Sequence, residues 1–219
     1  MKSKSIYSCI GFIILAIVGC KQNEPKIISI VYSNGDKYVG QTKNGQNHGF
    51  GKYVESNGTV YVGDYKDNTR SGYGIISNHV GVKYQGQWVS NECNGQGVQT
   101  FPDGTIYTGE FKNNKLNGHG IMIFPDETIY IGQCKNGDRN GYGKIIKTDG
   151  TKYAGEWKDG CCDGTGSMTY SNGNTYVGHY KMNNRHGYGV YTYIDGKQLK
   201  GDFDKNRFVD KQEMRMIIP

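Results

Sequence analysis

The sequence is poor in what a thick hydrophobic core requires. Only 35% of its 219 residues are hydrophobic, too few for two well-packed layers. It also lacks several signatures of chemistry. No CxxC spacing or neighbouring histidine pair suggests a zinc site. No glycine-rich loop opens a helical pattern, and there is no serine elbow. Blocks of like charge are missing as well. The formal charge is +6, and setting aside Lys2 and Lys4 from the 26 basic residues leaves an excess of four over the 20 acidic ones. So mild and dispersed an excess attracts polyanions weakly, and no nucleic-acid partner is expected. What the chain has in abundance is glycine, at 34 residues, and tyrosine, at 18. That is too aromatic for a disordered chain. The glycines also lack the three-residue period of collagen. Composition of this kind directs attention to internal repeats.

The repeat is 23 residues long. Tyr38, Tyr61, Tyr84, Tyr107, Tyr130, Tyr153 and Tyr176 stand one period apart, and Leu199 takes the eighth place. A glycine follows each by two residues, from Gly40 to Gly201, and six of the eight units place an aromatic two residues further on. Those aromatics are Tyr65, Trp88, Phe111, Trp157, Tyr180 and Phe203, with Thr42 and Cys134 the exceptions. A Gly-x-Gly pair then opens the second half of the unit, as in Gly95/Gly97 and Gly118/Gly120.

Side-chain parity turns this pattern into structure. Alternate residues of a strand share a face, so Tyr107, Gly109 and Phe111 point one way and Glu110 the other. The glycines lack a Cβ and let a neighbouring ring lie close over the backbone. Asn-Gly and Asp-Gly steps such as Asn57-Gly58 and Asp103-Gly104 mark hairpin turns. Unit five carries Pro125-Asp126-Glu127 there, which makes Glu127 a strained turn residue. The other connection, Asn113 to Asn117, reads as a longer polar loop. The expected fold is therefore all-β: an elongated, single-layer, twisted antiparallel sheet of tandem hairpins. About sixteen strands give a ribbon roughly 75 Å long at 4.8 Å per strand. The expected boundaries are a leader over 1–19, a tether over 20–30, eight repeats over 31–203, and a cap or tail over 204–219. Phe208, Val209, Met214, Met216, Ile217 and Ile218 are the candidates for covering the last edge.

This order of Tyr-x-Gly, polar residue, aromatic, Gly-x-Gly and Asx-Gly resembles the MORN (membrane occupation and recognition nexus) repeat family from about Asn34 to Phe203. Thr42, Cys134, Glu127, Val80-Gly81 and Leu199 depart from the pattern. The resemblance implies a non-catalytic module for protein or membrane contacts, because enzymes containing such repeats carry their chemistry on a separate domain. No cofactor is implied.

The first twenty residues, MKSKSIYSCIGFIILAIVGC, are built differently. Two lysines precede an apolar run from Ile10 to Val18, and Gly19 stands before Cys20. That is the layout of a secretory signal, and the run is short for a bilayer span. Ile17-Val18-Gly19-Cys20 resembles the lipobox of bacterial lipoproteins. The resemblance implies lipidation of Cys20 as the new N-terminus and a membrane-anchored place in the bacterial cell envelope. An uncleaved apolar anchor is the other reading of the segment, and an intracellular location follows if the signal is not one. The remaining cysteines offer no evident pairing: Cys93 and Cys162 are three repeats apart, and Cys134 takes an aromatic position as a filler. Unpaired thiols weigh slightly against a strongly oxidising compartment.

Candidate chemistry is sparse. After the Tyr-x-Gly glycine, Asp64, Glu110, Glu156 and Asp202 alternate with Gln41, Gln87, Gln133 and His179. The carboxylates are then roughly 20 Å apart, too far for paired acid–base work. Their alternation is expected to relieve like-charge repulsion. Of the histidines only His179 and His186 can approach across one hairpin, without a third ligand. No metal site is expected. Two surfaces remain. Tyr65, Trp88, Tyr107, Phe111, Trp157 and Tyr180 form an aromatic row that is either an open partner groove or the protein's only core. Lys66, Lys112, Lys135, Lys158 and Lys181, together with Lys43, form a row that could meet anionic headgroups or be a solvated edge. The expected function is a membrane-anchored protein-interaction or scaffold module with an unidentified protein partner. The alternative is direct binding of acidic phospholipid or envelope polysaccharide.

Overall fold

The computed structural model describes residues 26–209. The expected leader, Cys20, and Met214, Met216, Ile217 and Ile218 lie outside the described residues. Every regular element among them is a strand. Seventeen strands form one open antiparallel sheet, and each pairs with the next in sequence, from Ile27–Val31 to Arg207–Val209. The expected all-β ribbon of 23-residue hairpins is the observed architecture.

One device builds the core of this single layer. In unit four Tyr107 pairs with Met122 and Gly109 with Gly120. The Tyr107 ring lies over both glycines, and its hydroxyl donates to the Glu110 carbonyl at 3.2 Å. The same reach recurs from Tyr38 to Gln41 at 2.6 Å and from Tyr130 to Gln133 at 2.7 Å. A ring lying flat along its own strand is buried by one sheet alone, and all seven repeat tyrosines are 2% exposed or less. The second aromatic then stands edge-on between successive tyrosines. Trp88, for example, is 5.2 Å from Tyr61 and 5.3 Å from Tyr84. Each such T-shaped pair contributes about 0.5–1.5 kcal/mol beyond buried area. Because each standing ring meets one tyrosine on its own strand and one in the preceding hairpin, as Trp88 meets Tyr84 and Tyr61, stability is that of a nearest-neighbour stack. The ring series is interrupted at Cys134, where the adjacent strand Lys115–Ile123 supplies the buried side chains Leu116 and Met122.

Three local features differ from the sequence expectation. Asn113 to Asn117 is not a longer loop: Lys112 pairs with Lys115 around a two-residue turn, Asn113-Asn114, with φ of 50° and 64°. Asparagine tolerates this left-handed backbone. The first glycine of Gly-x-Gly does not start the second strand but sits within it at a bulge. Gly118 has φ 63°, and the register slips between Gly109 and Phe111. Finally, Ile27–Val31, placed largely in the tether, is a strand paired with Lys37–Lys43. Arg207–Val209 pairs with Gln198–Asp204, and Phe208 meets Phe203 at 5.3 Å. That segment completes the eighth hairpin. Glu127 has φ 63°, the left-handed conformation expected of it.

Candidate interaction surfaces

The side of the sheet that carries the tyrosines is its core. Tyr65, Trp88, Tyr107, Phe111, Trp157 and Tyr180 are all at most 7% exposed. They fill the row themselves, because the flat tyrosines bring the standing rings into contact; at the first units a shallow depression remains beside them, lined by Tyr32, Tyr53, Tyr61, Tyr65 and Arg70. The two indoles are further occupied. Their N–H groups donate to the carbonyls of Gly74 at 3.2 Å and Gly143 at 3.0 Å. The Arg70 guanidinium lies 4.8 Å from the Trp88 ring centre and that of Arg139 4.4 Å from Trp157. This face therefore presents arginines and the half-buried rings of Tyr53, Tyr170 and Tyr191 to solvent. Burial pushes the Tyr38 and Tyr53 hydroxyls up to about 12, so they remain proton donors. It raises the Cys93 and Cys162 thiols to about 11, which makes them poor nucleophiles.

Lys66, Lys112, Lys135, Lys158 and Lys181 are all exposed, each at the end of a strand just before a two-residue turn. The row is not uniformly cationic. Asp67 and Asp159 follow two of the lysines in the turns, and Asp138 pairs with Lys135 across the hairpin. Lys112, Lys115 and Lys135 surround a shallow depression with Asn113, Asn117 and Asn140; no acid lines it, although Asp138 stands opposite Lys135 and the Glu110 carboxylate lies against Gly118.

The alternating acids and amides have a structural task. The Gln87 side-chain oxygen accepts the Gln96 backbone N–H at 2.7 Å, and a Glu110 carboxylate oxygen accepts that of His119 at 3.0 Å. Asp64, Gln133, Glu156 and Gln41 do the same for their units. Each satisfies a donor that the bulge removes from the ladder. An amide and a carboxylate serve equally well, so the alternation carries no catalytic meaning. His186 pairs with Asp204 at 3.3 Å, while His179 lies against Gly187. Among the described residues no group of three or more His, Cys, Asp or Glu side chains is placed to hold a metal ion.

Large exposed apolar side chains occur on the opposite face, which the sequence reading did not single out. The residue between the two glycines of the Gly-x-Gly pair has the opposite parity to the tyrosine and points outward. There stand Phe50, Tyr73, Tyr142 and Tyr188, each more than half exposed. A second outward row runs beside them, including Val39, Val98, Ile121, Ile131 and Val177. Ile121 and Ile131 face each other directly across neighbouring strands. Between Tyr142 and Tyr188 the surface is a groove floored by Ala154, Thr165, Gly166 and Gly178. Parity alone would have located this face. Attention to the rings of the core concealed it.

The MORN repeat family model matches residues 38–60, 61–77, 84–106, 107–129, 130–152, 153–175 and 176–198. No curated protein matches the chain. Among solved structures, the chain is similar to the TCP domain of SAS-4 (dCPAP) of Drosophila melanogaster, described in complex with a proline-rich motif of Ana2 (dSTIL). The identity is 12%, with 85% of this chain and 99% of that one covered, at a TM-score of 0.44. It is also similar to the TCP10 domain of Danio rerio CPAP in complex with a peptide of Danio rerio STIL, at 18% identity, 81% and 100% coverage and a TM-score of 0.26. A streptogramin B lyase structure is 16% identical over 84% of this chain and 57% of that one, at a TM-score of 0.17. Likeness at this level transfers no partner or activity.

Proposed function

The chain belongs to the MORN repeat family, whose repeats are generally protein or membrane interaction modules, and from that premise we propose a non-catalytic scaffold that binds a protein partner. The observation that carries this reading is the uncovered apolar face. Phe50, Tyr73, Tyr142 and Tyr188 stand more than half exposed on a sheet whose other side is already a complete core. Apolar side chains gathered on one uncovered face suit contacts with a partner, and tyrosine is favoured at the centres of interfaces. The proposal includes a cell-envelope location, supported by the lipobox-like Ile17-Val18-Gly19-Cys20. In this reading residues 1–19 are a removed leader and Cys20 is the lipid anchor.

Two experiments separate these parts. A photo-crosslinking residue at position 142 in the native organism should trap one defined partner, and Tyr188→Asp should abolish the trapping without lowering thermal stability. Trapping that survives Tyr188→Asp would remove this face from the proposal. Fatty-acid labelling that is equal in wild type and Cys20→Ser would refute the anchor.

A second reading rests on the depression where Lys112, Lys115 and Lys135 gather, an arrangement that suits an anionic phospholipid headgroup. Flotation with vesicles containing phosphatidylglycerol should then fall steeply with salt, and Lys112→Glu with Lys135→Glu should abolish it. Flotation unaffected by that pair would exclude the reading.

A further inference from the structure

An open sheet has two edges, and they are unlike. The last strand, Arg207–Val209, is three residues long and carries a charge. The first, Ile27–Val31, is five residues long and reads IISIV. It has none of the devices that keep edges from pairing: no proline, no charge and no bulge. Ile28 and Ile30 share the face of Gly40 and Tyr38, their partners on the next strand. Ile27 and Val31 point away from the core and are 71% and 69% exposed.

The backbone bonding frame identifies which groups of this edge face away from the sheet of described residues. The Tyr32 N–H donates to the Asp36 carbonyl at 2.9 Å, just beyond the Val31–Lys37 pair. Antiparallel bonding alternates residue by residue, so Ile30 and Ile28 direct their N–H and C=O groups inward to the sheet. Ile27, Ser29 and Val31 direct theirs outward. These three residues are placed symmetrically about Ser29. A two-fold axis at Ser29 sets Ile27 opposite Val31 of a second copy, Ile28 opposite Ile30, and Ser29 opposite Ser29. All outward groups then find partners, every facing pair except the serines is β-branched and apolar, and no like charges meet. A strand of near-palindromic sequence is self-complementary in the way an isologous interface requires.

We infer that this edge pairs with itself: the occupant is the same strand of a second copy, and the dimer is one continuous antiparallel sheet through both chains. The inference is independent of which face binds a partner and of any lipid anchor. It also gives the strand a role: it extends the repeats by half a hairpin and ends them on a self-matching edge.

The test is a charge exchange in the full chain, purified in detergent and followed by light scattering across a concentration series. Wild type should have twice the single-chain protein mass. A chain with Ile27→Lys and Val31→Lys sets lysine opposite lysine twice and should be a monomer. One with Ile27→Glu and Val31→Glu should also be a monomer. Both changes fall on exposed side chains, so unchanged circular dichroism and melting temperature verify folding. Mixing the two variants in equal amounts should restore the doubled mass, because every facing pair becomes Lys opposite Glu. A wild type of single-chain mass at all concentrations overturns the inference. A doubled mass that survives in the lysine variant also overturns it, as does a mixture of the two variants that stays monomeric.

Discussion

Substituting Gly97 by alanine tests the device on which the whole fold rests. A Cβ at Gly97 would stand 2.6 Å from Cε2 and 2.7 Å from the hydroxyl of Tyr84. The ring has nowhere to go within its plane. It is 2% exposed and lies edge-on 5.3 Å from Trp88 and 4.9 Å from Phe111. It must therefore lift off the sheet, an overpacking that costs about 1–3 kcal/mol. Lifting also draws its hydroxyl from the Gln87 carbonyl, 2.8 Å away, a loss of roughly 1 kcal/mol. Removing a strand glycine returns about 0.5–1 kcal/mol of chain entropy. The net expectation is a destabilisation of about 2 kcal/mol, read as a lower urea midpoint at an unchanged slope. The decisive comparison is the same substitution in a Tyr84→Ala background. With the ring gone the Cβ meets no obstacle from it, and Gly97→Ala should stabilise by about 0.5–1 kcal/mol. The two changes should thus be coupled by about 3 kcal/mol, the upper end of the usual range for residues in contact. Equal costs in the two backgrounds would refute the argument and reduce Gly97 to a residue of backbone conformation alone.

Other expectations follow from single residues. Glu127 holds φ 63° at a turn where the preceding and following units carry Gly104 and Gly150. Glu127→Gly should stabilise by about 1 kcal/mol, since a side chain in that region costs roughly 1–2 kcal/mol; a lower urea midpoint would contradict this. Among the four cysteines of the sheet, Cys161 is the one not fully buried. It should be alkylated first in the native state at neutral pH, with Cys93, Cys134 and Cys162 following only on unfolding, as peptide mass spectrometry would show. The thiols of Cys93 and Cys162 rise from 9.0 to about 11 through burial. Their contribution to stability is therefore complete below pH 9.0 and is lost as pH climbs toward about 11. Alanine at both positions should flatten that part of the stability profile. The Asp36 carboxylate accepts from Tyr53 at 2.7 Å and from the Ser56 N–H at 2.8 Å, which hold its pKa below the ordinary value of 3.8. Its contribution is complete above that value and disappears as acid takes the pH through the lower folded one. The stability gap between wild type and Asp36→Asn should hence close in acid.

How much of this was legible depended on whether the information was local. The tyrosine period, strand parity and need for glycines beneath a ring are properties of a few adjacent residues, and the sheet follows from them. The two kinds of turn were harder to tell apart, because both carry Asx-Gly or Asx-Asx steps. Asn136-Gly137 is a two-residue turn, whereas Asp149-Gly150 closes a longer one, with the Lys147 N–H donating to Thr151 at 2.9 Å. The aromatic row left core and groove both open, since the choice turns on how flat the tyrosines lie. That angle is fixed by contacts between hairpins and not by the sequence of one. The acid–amide alternation was read as charge relief because the bulge it serves arises from a register slip, which spacing does not reveal.

Variation among the units separates the positions the fold needs from those it leaves free. The core tyrosine is the same residue in seven units, and the glycine after it is present in all eight. In the first seven units both are fixed by one contact, the ring on the backbone; in the eighth, Leu199 takes the ring's place and Gly201 lies against Phe208. The acceptor position changes between Asp, Glu and Gln through the first six units because any of their oxygens reaches the bulge N–H, and His179 takes the place in the seventh. The outward position within Gly-x-Gly runs through Phe50, Tyr73, Gln96, His119, Tyr142, Thr165 and Tyr188, a range with no common size, charge or hydrogen-bonding character. A fold that required something there would not tolerate that range. A sheet whose core is complete on one side imposes nothing on the other, so the back face can acquire a pattern of its own. Its bulky rings fall in units one and two and again in units five and seven, with smaller or polar residues between. Recognition specific to this chain, rather than to 23-residue hairpins in general, has to be written in that irregular row.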